Sequence, residues 1–100
     1  MIGFFRDGLR RNGVDISRII LFGSRLTGRG SDDSDIDLVV VSDAFDGKDI
    51  FARVGMLKDA EVATIKRYMV PLDVIALTPD EYDNGDSLAA AYAKRGEVVG

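Results

Sequence analysis

One hundred residues with 46% hydrophobic content suffice for one core and not for two, so residues 1–100 read as a single domain. The chain has neither cysteine nor histidine, which excludes disulfides, zinc–thiolate sites, cysteine nucleophiles and histidine-based hydrolysis, and leaves carboxylates, hydroxyls, lysines and arginines as the reactive groups. With 13 basic against 17 acidic residues, net charge −4 and a pI near 4.7, the surface is ill suited to gripping a polynucleotide backbone directly.

In chain order, Ile2, Phe5 and Leu9 recur at helical spacing and predict a helix over about 2–12, closed by Gly13. A first strand is expected over about 17–22, halting at Gly23-Ser24, then a short helical piece or loop, then an acidic strand over 35–41. Ile50, Val54, Leu57, Ile65 and Met69 predict one buried stripe on a long helix over about 48–69, which Val70-Pro71 stops. A third strand follows over 72–77. Thr78-Pro79-Asp80-Glu81 then reads as a capping box with proline at the first helical position, Ser87 starts a last helix ended by Gly96, and residues 97–99 form a short edge strand. Tyr68, Tyr82 and Tyr92 are read as packing residues, and Arg6, Arg10 and Arg11 as a solvated face of the first helix. No stretch approaches the roughly 18–20 apolar residues of a membrane span, and the amino terminus lacks a signal-peptide pattern, so a cytoplasmic protein without membrane association is expected.

The chemistry concentrates between Gly23 and Asp73. Four aspartates fall within Ser31 to Asp37, the last two separated by Ile36. On a strand both Asp35 and Asp37 project to one face while Ile36 and Leu38 pack on the other. Two like charges on one face repel, and a hard divalent cation such as magnesium turns that repulsion into a binding site. Ten residues upstream, Gly23-Ser24 allows a tight turn and a close approach to an anion; Ser24 adds a hydroxyl donor, and Arg25 and Arg29 can balance phosphate charge. Gly23 and Gly28 imitate half of a Walker A loop, but Arg29-Gly30 stands where lysine and a hydroxyl residue are required. Asp73 is a lone carboxylate in an otherwise apolar strand, which is costly unless it is hydrated, paired or bound to metal. If the second and third strands are neighbours, it joins Asp35 and Asp37 as three ligands for two ions roughly 3.5–4 Å apart, the arrangement of phosphoryl transfer.

Gly23-Ser24-Arg25, Gly28 and Ser34-Asp35-Ile36-Asp37-Leu38, followed by the distant Asp73, resemble the signature of the polymerase-beta-type nucleotidyltransferase superfamily, and within it the minimal nucleotidyltransferases (MNT). The resemblance covers most of the chain. It implies an α/β (α+β) fold with a small mixed β-sheet flanked by helices, Gly23, Ser24 and Arg25 at the triphosphate of ATP, and Asp35, Asp37 and Asp73 holding two Mg²⁺ ions. Members of this size are often antitoxins paired with a HEPN-type toxin, and some transfer AMP from ATP to a tyrosine of that toxin. The added domain with which larger relatives grip a base or acceptor is missing, so the acceptor is expected from a partner.

Three readings stay open on these residues. One is a magnesium-dependent nucleotidyltransferase acting on a hydroxyl of a partner protein, as a hetero-oligomer or a homodimer. Another is a non-catalytic antitoxin that neutralises its partner by occlusion. The third is nucleotidyl transfer to a small molecule.

Overall fold

The structure is a computed structural model that describes residues 1–22, 36–85 and 88–99, without the side chains at positions 22, 88, 89 and 92. The expectations for Gly23, Ser24, Arg25, Asp35, the helix start at Ser87, the Tyr92 side chain and the segment between the first two strands lie outside these residues.

Helix α1 (Ile2–Arg11) buries Phe5 and Leu9 completely, as their spacing requires. Gly13 follows at φ +85°, a left-handed conformation that glycine adopts without strain. Strand β1 (Ile16–Phe22) leads out of this turn, and β2 (Ile36–Ser42) pairs with it antiparallel. A 3-10 turn at Asp43–Phe45, which hydrophobic spacing did not announce, buries Phe45. Asp49 then caps α2 (Ile50–Tyr68) by accepting from the Ala52 N–H at 2.8 Å. Strand β3 (Leu72–Leu77) runs parallel to β2, the usual outcome of a strand–helix–strand crossover. Thr78 and Glu81 form the expected reciprocal capping box on α3 (Pro79–Asn84), and α4 (Leu88–Arg95) precedes the two-residue β4 (Glu97–Val98), which pairs antiparallel with β1.

The sheet order is β3-β2-β1-β4. One face, with Ile19, Leu38 and Val40, packs on Phe5 and Leu9 of α1 and on Leu57 and Ala60 of α2. The other, with Ile20, Val39, Val41 and Leu77, packs on Ala90 and Ala93 of α4. Because β2 is covered on both faces, its run from Leu38 to Val41 is apolar without alternation. The mixed four-stranded sheet with helices on both sides is the fold class expected from sequence.

The stripe assigned to α2 is the main correction. Leu57 is buried and Ile65 half-buried, but Ile50, Val54 and Met69 are exposed at 70%, 54% and 83%. The helix instead presents Leu57, Ala60 and Thr64 to the core. Small residues are required there because α1 comes close: a Cβ on Gly8 would stand 3.1 Å from the Ala60 Cβ.

Candidate active site

Asp37 interrupts the apolar run of β2 one residue after the strand begins, and the strand is pinned there by the Ile36 N–H, which donates to the Pro71 carbonyl at 2.9 Å. Pro71 leads directly into β3, and that anchor sets the parallel register in which Asp37 faces Asp73. On its other side Asp37 is the register partner of Phe22. Phe22, Asp37 and Asp73 therefore form one row across three strands, and Gly23 is the next residue after Phe22.

Register partners in a parallel pair lie about 4.8 Å apart with side chains on the same face. Asp37 and Asp73 thus share the face that packs on α4 farther along the strands. Asp37 is half-buried and Asp73 exposed, so the edge position of β3 gives Asp73 the hydration that an apolar strand interior would deny it. Two carboxylates at such a spacing repel by about 1 kcal/mol in water and by about 4 kcal/mol at the dielectric of a protein surface, when 4 Å apart.

Sequence reasoning missed Glu61. It lies on α2 four residues from both Leu57 and Ile65, and its carboxyl is pushed above the ordinary range by partial burial and, second, by the charge of Asp73. Its spacing from Leu57 and Ile65 was the available signal, but nothing in sequence says that the charge of Asp73 reaches this flank of α2. Met69 ends α2 in the left-handed region and, with Ile65, Pro71 and Leu72, lines a shallow hollow of about 440 Å³ beside the start of β3. A second hollow of about 400 Å³ lies farther along β3, between Val74 to Ala76 and the first half of α2, and is lined by Glu81 rather than by Asp37 or Asp73.

Among the described residues no group of three acidic, histidine or cysteine side chains is close enough to hold a metal ion; Asp35 is outside them. The donors of the row are oxygens only, the set that a hard cation such as magnesium prefers. Among the described residues, no helix is long and apolar enough to cross a membrane.

Solved structures share this architecture. A toxin–antitoxin crystal structure with AMP-PNP aligns over 96% of this chain and 69% of its own, at 21% identity and TM-score 0.67. A protein from Sulfolobus solfataricus assigned as a nucleotidyltransferase aligns over 97% and 83%, at 20% identity and TM-score 0.60. The BolA domain of SufE1 from Arabidopsis thaliana aligns over 77% and 90%, at 26% identity and TM-score 0.53. The framework alone therefore does not choose an activity. No curated protein matches the chain. The family profile described as a nucleotidyltransferase domain matches residues 4–93, nearly the whole chain and every position of the aspartate row, and the chain belongs to that family.

Proposed function

We propose that this chain is a minimal nucleotidyltransferase that moves AMP from ATP to a hydroxyl of a partner protein, and that residues 1–100 form its single catalytic domain. The observation that carries the reading is the row Phe22–Asp37–Asp73, which puts two carboxylates on one face beside the strand end that continues into Gly23-Ser24. In the proposal Gly23, Ser24 and Arg25 hold the triphosphate, and Asp35, Asp37 and Asp73 are the carboxylates that would hold two Mg²⁺ ions. When bound, such ions supply polarisation of the phosphoryl oxygens and a lower pKa for the acceptor hydroxyl.

The residues of the chain have three tasks. Gly23 and Ser24 would orient the triphosphate for in-line displacement, so that the acceptor oxygen forms its bond to the α-phosphorus as the bond to the β-phosphate oxygen breaks and pyrophosphate leaves. Asp73, the more exposed carboxylate, receives the acceptor proton or passes it to water. Asp37, held rigidly between two strands, keeps the geometry fixed. The toxin–antitoxin neighbour with AMP-PNP supports both a nucleotide substrate and a protein partner, and a HEPN-type toxin in the cytoplasm is the partner we propose.

The test is label transfer from α-labelled ATP to the product of the adjacent gene, co-purified with this chain. Transfer that requires magnesium and disappears in Asp37→Asn and in Asp73→Asn is expected. A partner that stays protected in both variants without ever acquiring label would replace the enzyme by an occluding antitoxin.

A further inference from the structure

Helix α2 carries a second apolar face that the described residues leave uncovered. Phe51, Val54, Val62 and Met69 lie within one arc of the helix and are exposed at 83%, 54%, 39% and 83%. Gly55 sits in the same arc with nothing within 4 Å of its Cβ position, so a neighbouring backbone can come close. The charged residues inside the arc are Lys58 and Lys66, both exposed. The acidic residues of the helix lie to its sides: Asp59 lines a hollow shared with Arg11 of α1, and Glu61 feels Asp73. A chain of net charge −4 thus presents one apolar strip marked by two lysines.

We infer that this strip docks an amphipathic helix of a partner protein whose apolar face is flanked by carboxylates. Ridges at three- and four-residue spacing receive another helix by interdigitation, and the lysines find their counterparts in acidic flanks. A second copy of this chain is the poorer occupant. Antiparallel pairing of two α2 helices about their midpoint brings Lys58 and Lys66 of both copies, four lysines, into one interface. The neighbouring edge of β3 is poorly suited to strand addition, because the outward carbonyl of Ala76 already accepts from Arg53 Nη1 at 3.2 Å. An anionic lipid surface is opposed by the net charge of the chain. The inference uses no residue of the aspartate row and goes beyond the nucleotidyl-transfer reading.

The probe is a synthetic amphipathic peptide of about 20 residues, long enough to span α2, with leucine on one face and glutamate on the other; its counterpart carries lysine for glutamate. The full chain is expected to bind the acidic peptide at least about tenfold more tightly at low salt, a difference of about 1.4 kcal/mol. Phe51→Ser with Val62→Ser abolishes that binding while circular dichroism and melting are retained, and Lys58→Glu with Lys66→Glu reverses the preference. Asp37→Asn with Asp73→Asn leaves peptide binding intact whether or not nucleotidyl transfer occurs, so the two readings fail separately. Equal or absent binding of both peptides, attachment to phosphatidylglycerol vesicles, or sedimentation of the chain alone as a dimer that Phe51→Ser dissociates would each overturn the assignment.

Discussion

Asp37 and Asp73 are register partners on adjacent parallel strands, and their carboxylates share one face of the sheet. Two like charges on one face repel, and a bound cation would offset that repulsion. Asp73→Asn is therefore expected to raise the melting temperature in chelator, where each 1 kcal/mol relieved corresponds to about 4–8 °C for a domain of this size. Magnesium stabilises the wild type by mass action and stabilises the variant less. Equal magnesium-dependent shifts in differential scanning fluorimetry would show that the pair binds no cation.

Arg53 ties three elements together at the other end of β3. Its Nε donates to the Lys48 carbonyl at 2.9 Å, and its Nη1 donates to the Ala76 carbonyl at 3.2 Å and pairs with Glu81 Oε1 at 2.7 Å. Arg53→Ala is expected to cost about 1–2 kcal/mol by denaturant unfolding, discounted because Glu81 is substantially exposed. Arg53→Lys recovers little, since an ammonium cannot span the same three acceptors.

The same contact predicts a pH dependence. Partial burial works to raise the Glu81 carboxyl, but the Thr78 N–H and the Arg53 guanidinium outweigh it and hold the group below its ordinary range. A carboxyl lower in the folded than in the unfolded chain contributes stability above its unfolded value and loses it as pH falls through the folded one. Unfolding free energy should therefore drop more steeply below about pH 4.5 in the wild type than in Glu81→Gln. Parallel curves would remove Glu81 from the account.

Much of this was legible before the structure, because local signals and global packing agree. The β3 bounds follow from Pro71 and Thr78, and the α3 start from its capping box. The apolar run after Asp37 announced the strand, but not that helices cover it on both faces. The rotation of α2 was not legible, because periodicity weighs large side chains, while the close approach of α1 selects small ones such as Ala60 for the buried side. The apolar residues counted as core belong in part to the outer face. The facing of Asp37 and Asp73 was conditional on strand adjacency, since register comes from the Ile36–Pro71 anchor and not from strand composition.

Two helical glycines should respond in opposite directions. Gly55 has open space at its Cβ position, so Gly55→Ala is expected to stabilise α2 by about 0.5–1 kcal/mol through helix propensity. At Gly8 the Ala60 Cβ lies 3.1 Å from the added atom, and Gly8→Val must push α1 off α2 at about 1–3 kcal/mol. Chemical denaturation of both variants tests the pair, and a stabilised Gly8→Val would mean that α1 does not pack where it is described.

Met69 is left-handed at φ 55°, ψ 40°, 83% exposed, and caps α2 through its N–H to the Ile65 carbonyl at 2.7 Å. A non-glycine residue in that conformation costs about 1–2 kcal/mol, of which glycine at the same position recovers part after its greater freedom in the unfolded chain is counted. Met69→Gly is thus expected to raise stability by about 0.5–1 kcal/mol in thermal melts. Met69 also ends the outer strip of α2, so the substitution that stabilises the chain should weaken the acidic peptide. A more stable variant with undiminished peptide affinity would confine the docking surface to the Phe51–Val62 part of the helix, and a less stable one would contradict the strain assigned to this cap.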